Sequence, residues 1–146
     1  MQKFKILTPV VNGKFTSFNG CNNAIFLAGP CPRKNYDKDD WRFEAFKLLE
    51  EIGFDGTIIT PTNENYASFE QASGLSHLEM LAKQTKWERT AMHIASAIVF
   101  WVPRDSEHPA LTTNIEFGEW HKKPGIFVGW PENAEKMSYI ECKLNE

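Results

Sequence analysis

Four short apolar runs punctuate the chain, each closed by proline or glycine, and helical patterning fills the intervals between them. Ala24-Ile25-Phe26-Leu27-Ala28 stops at Gly29-Pro30, Thr57-Ile58-Ile59-Thr60 at Pro61, Ala97 to Val102 at Pro103, and Ile126 to Trp130 at Pro131. A strand buried on both faces reads as an unbroken apolar run, whereas a strand with one wet face alternates. Between the first two runs, Trp41, Ala45, Leu48, Leu49 and Ile52 recur at helical spacing and Gly53 ends the pattern. Ser76 to Ser96 is a longer helical stretch, with a possible break at Gln84 to Lys86 and with Leu78, Leu81, Ala82, Trp87, Ala91, Ile94 and Ala95 as inward positions. Asn114 to Lys122 predicts a further helix, stopped by Lys123-Pro124-Gly125, and Glu132 to Leu144 a terminal one.

Strands alternating with helices predict an α/β fold, a small doubly wound (Rossmann-like or flavodoxin-like) parallel sheet with helices on both faces. At 146 residues the chain has the size of one domain, 1–146. Met1 to Phe18 contains Asn12-Gly13, a strong turn signal, so residues 1–23 read as an N-terminal β-hairpin extension before the main fold. Pro32, Arg33, Lys34 and Asn35 read as a loop after the first run. The polar stretch Asn63 to Gly74 reads as a long loop or irregular helix over the crevice, where a lid would lie.

Sixteen basic residues against nineteen acidic ones give a net charge of −3, without the basic surplus that binding to polymeric nucleic acid needs. The longest mostly apolar stretch, Ile94 to Pro103, is too short to span a bilayer, and the first residues lack the apolar region of a signal peptide. A soluble, cytoplasmic protein without membrane partners is expected. Cys21, Cys31 and Cys142 are odd in number and far apart, and the four histidines show no paired metal spacing, so free thiols and no metal are assigned. His93, inside an apolar helical pattern, is read as partly buried packing. Gly-rich dinucleotide and phosphate-loop motifs are absent from the sequence, which argues against a nicotinamide or ATP enzyme.

In an open α/β sheet, ligands gather at the carboxyl ends of the strands. Gly29-Pro30, Pro61-Thr62-Asn63, Pro103 to His108 and Trp130-Pro131 converge there, and Glu88 and Glu116 can both approach. Glu116 follows the third run and its loop, in the first turn of the predicted helix. Thr113-x-x-Glu116 also has the spacing of a capping box, in which each side chain satisfies a backbone amide of the other residue. Ser76-x-x-Glu79 and Thr85-x-x-Glu88 repeat that spacing. On residue type alone, Glu116 is either a helix cap or a carboxylate placed to attack a ligand.

Ile25-Phe26-Leu27-Ala28-Gly29-Pro30, then Trp41-Arg42-x-Glu44-Ala45, then Trp87-Glu88, then Ile115-Glu116-Phe117-Gly118 occur in the order of the nucleoside 2-deoxyribosyltransferase family. The chain resembles the transferase-like branch of that family from about Ile25 to about Trp130. The resemblance implies base exchange on 2′-deoxynucleosides through a covalent glycosyl-enzyme, with Glu116 as nucleophile. The logic is that of a retaining glycosidase. Glu88 matches a site aspartate and would orient sugar hydroxyls or assist proton transfer. Gly29 and Pro30 would border the substrate, Gly29 because a missing side chain lets the backbone approach. Phe26, Trp87, Trp101 and Trp130 are candidates to stack on a base, with core packing as the alternative for each.

Two positions depart from the familiar pattern. A tyrosine that hydrogen-bonds the nucleophile is replaced by Phe26, and an aspartate that contacts the base by Ala110, for which Asp105 or His108 on the same loop can substitute. The nearest alternative is a deoxynucleoside or deoxynucleotide N-glycosidase, with Thr112 and Thr113 holding a 5′-phosphate at a helix N-terminus. A non-catalytic nucleotide-binding module on the same fold is an alternative of another class. The implied partners are a small-molecule nucleoside or nucleotide and a free base, in a homo-oligomer, and the implied chemistry requires no cofactor.

Overall fold

The computed structural model describes residues 1–31, 40–62 and 66–146. Five parallel strands form one sheet: β1 (Lys5–Leu7), β4 (Ala24–Ala28), β5 (Thr57–Ile59), β6 (Ala97–Trp101) and β7 (Ile126–Gly129), in the order β1-β5-β4-β6-β7. A separate antiparallel hairpin pairs β2 (Val10–Val11) with β3 (Lys14–Phe15). The predicted doubly wound sheet is therefore present. The turn forecast at Asn12-Gly13 is there as well, with both residues at positive φ.

The N-terminal reading needs one correction, because Lys5–Leu7 does not belong to the hairpin. It runs parallel to β5 with Ile6 opposite Ile58, and so becomes an edge strand of the main sheet. Its short alternating pattern hid this, since an edge strand lacks the long apolar run of the central ones.

Side chains of the central strands β5, β4 and β6 alternate between two apolar layers. Phe26, Ala28, Ile59, Ile98 and Phe100 face one side. There they meet Trp87, Ala91 and Met92 of α3 (His77–Ile94), Phe117 of α4 (Leu111–Trp120) and Ile140 of α5 (Ser138–Leu144). Leu27 and Ile58 face the other side with Phe4, against Trp41 and against Ala45, Phe46 and Leu49 of α1 (Arg42–Glu51). Both faces of the central strands are dry, which is why those strands read as continuous apolar runs.

Helix α2 (Tyr66–Ser73) occupies most of the predicted 63–74 segment, while residues 63–65 and the Pro32 to Asn35 loop lie outside the described residues. Helix α3 is unbroken through Gln84 to Lys86. Its buried stripe runs through Met80, Gln84, Trp87 and Ala91, so Leu78, Leu81, Ala82 and Ile94, predicted inward, face solvent. Polar Gln84 at an inward position concealed the phase of the stripe. His93 is exposed beside the Trp120 ring, rather than partly buried. Lys123 donates to the carbonyls of Met92 and Ala95 at 2.6 and 2.5 Å, closing the C-terminal end of α3.

Helix α4 begins at Leu111, three residues before the predicted start, and α5 begins at Ser138 rather than Glu132. No helix among the described residues is long and apolar enough to cross a membrane.

Candidate active site

The sheet order reverses at β4, whose chain successor β5 lies on one side while β6 lies on the other. At such a switch point the loops leaving neighbouring strands diverge and open a crevice. A cleft of about 370 Å³ occupies that place, bordered by Gly29 and Pro30 after β4, Pro61 after β5, and the His108 to Thr113 segment after β6. Glu88 of α3 and Glu116 of α4 both line it.

The β4 exit is held by an ion pair that residue typing overlooked. Arg42 is almost fully buried. It donates from Nε to the Leu27 carbonyl at 3.1 Å, and from its two terminal nitrogens to Gly29 and Pro30 carbonyls at 2.9 and 3.3 Å. Buried Asp40 neutralises it through Oδ1 at 3.1 Å. Removing either partner would strand a buried charge, at about 3–5 kcal/mol. The signal was available as Asp40-x-Arg42 opening an otherwise amphipathic helix, but the carbonyl partners lie up to fifteen residues away.

Gly29 has φ +146°, a region L side chains rarely adopt, and a Cβ there would collide with the Trp101 carbonyl of β6. The glycine is therefore required by close approach of two strand ends, and not only by access of a ligand.

Helix α4 starts without a side-chain cap hydrogen bond among the described residues. Its N-cap, Ala110, sits in the left-handed conformation at φ 53°. The Thr113–Glu116 capping box is thus not formed, and neither is one at Thr85–Glu88, which lies inside α3. Only Ser76–Glu79 of the three is a true box. Glu116 stands in the second turn of α4 rather than the first. Thr113, at 2% exposure, lines the cleft with a hydroxyl that has no hydrogen-bond partner among the described residues. Buried Arg104 reaches from the β6 exit to the Asn114 side-chain oxygen and to the Lys136 carbonyl at 3.0 Å, anchoring the first turns of α4.

Burial raises the Glu116 carboxyl, the negative charge of Glu88 raises it further, and Arg42 draws it partly back, leaving it pushed up to about 8. Burial also lifts Glu88, against a hydrogen bond from Gln84 and the charge of Arg42. The expected preference of a helix N-terminus for the ionised form does not prevail, because Glu116 is a turn further in and half-buried beside a second carboxylate. Pushed up to about 8, the Glu116 carboxyl keeps its proton at neutral pH.

Of the sequence-predicted residues, Glu116, Glu88, Gly29, Pro30 and Thr113 meet in this cleft, and Phe26, Asp105 and Trp130 do not line it. Phe26 is at 0% exposure in the core, and Trp130 packs against the same cluster. Trp87 is buried too, donating its indole N–H to the Thr16 carbonyl at 2.9 Å. Exposed Asp105 accepts from the amides of Glu107 and His108 at 2.9 and 2.7 Å, shaping the loop that brings His108 to the cleft. Pro61 lies on a loop that the sequence brings to this crevice, whereas cleft-lining Cys31 and Leu111 carried no sequence signal that separates them from ordinary loop residues.

The sequence model of a family described as nucleoside 2-deoxyribosyltransferase like matches residues 22–134, a span that includes the whole cleft lining. No individual curated protein matches the chain.

Proposed function

From the premise that this chain belongs to the nucleoside 2-deoxyribosyltransferase-like family, we propose that it exchanges the base of a 2′-deoxynucleoside through a glycosyl ester on Glu116. The observation that carries this reading is the convergence of Glu88 and Glu116 from two helices on one cleft at the sheet's switch point. In the productive state Glu116 is ionised and Glu88 carries a proton. A carboxylate oxygen of Glu116 attacks the anomeric carbon while the bond to the base nitrogen breaks, and the electron pair of that bond leaves with the base. Glu88 gives its proton to the departing base. A second base reverses both steps on the ester, and two inversions retain configuration. Gly29 and Pro30 border the sugar, and His108 is the polar side chain that the Pro103 to Ala110 loop brings to the cleft lining, where Ala110 offers none.

Hydrolysis of a 5′-phosphorylated substrate is the second reading. It is supported by the uncapped start of α4 and the unpartnered Thr113 hydroxyl in the same cleft. Supplying a deoxynucleoside with a different free base separates the two. The transferase reading expects the new nucleoside; release of deoxyribose or its phosphate, with no new nucleoside, would overturn it. For the homo-oligomer, support comes from Leu111 and Ile115 on α4, 66% and 71% exposed beside the cleft, with Leu78 and Leu81 exposed on α3. A second copy of this chain is the proposed cover for that apolar surface.

A further inference from the structure

Gln84 is nine-tenths buried on the inward stripe of α3, one turn before Glu88, where an apolar side chain would be expected. Its amide nitrogen makes two hydrogen bonds, to the Pro61 carbonyl at 3.1 Å and to Glu88 Oε1 at 2.9 Å. A backbone carbonyl only accepts, so the Pro61 contact fixes which end of the amide faces this pair. Flipping the amide would set its oxygen against the Pro61 oxygen. The fixed orientation leaves Gln84 Oε1 buried with no partner among the described residues, so the amide is committed to these two acceptors at the expense of its own oxygen.

The consequence falls on Glu88. Its Oε1 meets an N–H donor in every protonation state, and a proton on that oxygen would confront the donor. Oε2 has no hydrogen-bond partner among the described residues, on a side chain that lines the cleft. We propose that Gln84 is a positioning residue that confines the transferable proton of Glu88 to Oε2, so that Glu88 presents its acidic oxygen to the leaving base. This inference rests on the transferase reading above and adds to it the residue that orients the acid. In the step concerned, the bond from the anomeric carbon to the base nitrogen breaks, the bond to Glu116 forms, and the Oε2 proton goes to the base nitrogen that keeps the electron pair.

Leaving-group dependence tests it. Gln84→Met keeps the volume and removes the donor. Cleavage of an ordinary 2′-deoxynucleoside by this variant is expected to slow by about 10- to 100-fold, up to the low end of a full general-acid contribution, because Glu88 itself remains. A deoxyribosyl substrate whose leaving group departs unprotonated, such as a nitrophenolate, is expected to lose less than about threefold. In a double-mutant cycle on the ordinary substrate, Gln84→Met added to Glu88→Gln is expected to cost nothing further, because Gln84 acts through Glu88. Gln84→Asn, which keeps an amide too short to span both acceptors, replaces Gln84→Met if that variant does not fold.

Equal losses on both substrates, no loss on either, or full additivity in the cycle would each overturn the role of Gln84 while leaving base exchange intact. A wild-type protein that cleaves neither substrate would overturn the transferase reading itself, and this inference with it.

Discussion

Glu116 keeps its proton to about pH 8 in the folded protein, whereas the unfolded chain releases it near 4.5. Between those values the unfolded state has lost a proton that the folded state still holds, so the contribution of this group to stability falls as pH rises from about 4.5 to about 8 and is level above. The sign is opposite to that of a salt-bridged carboxylate. Glu116→Gln, neutral at all pH values, is expected to be more stable than wild type at pH 8 by roughly 1–3 kcal/mol and equal to it near pH 4.5, read from denaturant unfolding at the two pH values. A buried carboxyl kept at the expense of stability is in line with the trade-off between stability and function. At this scale the sequence located both carboxylates, Gly29, Pro30 and Thr113. Phe26 and Trp130, read as stacking on a base or packing in the core, pack in the core, because an aromatic ring suits a core as well as it suits a base. The grip of Arg42 on three carbonyls was illegible, since it depends on backbone positions that only the folded chain brings together.

Among the elements, α4 shows where pattern reading breaks down. Ser/Thr-x-x-Glu occurs at four places, Ser138–Glu141 being the fourth, and among the described residues the box forms only at Ser76, where the chain enters a helix from an extended residue. At Thr113 the helix has already begun, so the same letters place a buried hydroxyl in the cleft rather than a cap. What fixes the start of α4 is Arg104, whose guanidinium is bonded to Asn114 and to the Lys136 carbonyl. Asn114→Ala is expected to leave that buried guanidinium short of a partner and to cost about 1–3 kcal/mol in thermal or denaturant unfolding. The α3 stripe was misread for a related reason. Its central inward residue, Gln84, is polar, and its leucines at 78 and 81 are exposed. A helix that carries a site on its buried face departs from the hydrophobic pattern where that site lies.

Across the whole molecule, the three central strands were legible because burial on both faces writes itself as apolar runs; edge strand β7 also reads as an apolar run although Phe127 is exposed, while β1, three residues long at the other edge, was not legible. The order β1-β5-β4-β6-β7 sets the switch point, and the switch point sets the cleft. Its paired carboxylates give the protein a pH signature. Activity that needs Glu116 ionised and Glu88 protonated requires one proton on the pair, so kcat/KM should be bell-shaped and fall as the last proton leaves near 8. Glu88→Gln should remove that alkaline fall and let the Glu116 ionisation appear below 8, because a negative neighbour has gone. A pH-rate series on both proteins checks this.

The exposed apolar surface of α4 bears on assembly. Ile115→Arg is expected to shift the mass in light scattering from oligomer to monomer, with a fall in activity if the second copy closes the cleft beside Leu111. The most direct measurement of the central claim is mass spectrometry of the protein quenched in acid during turnover of a 2′-deoxynucleoside, followed by peptide mapping. A deoxyribosyl ester on the peptide containing Glu116, lost in Glu116→Ala together with turnover, is the predicted result. Turnover at the wild-type rate by Glu116→Ala, or an adduct mapped to another residue, would contradict it.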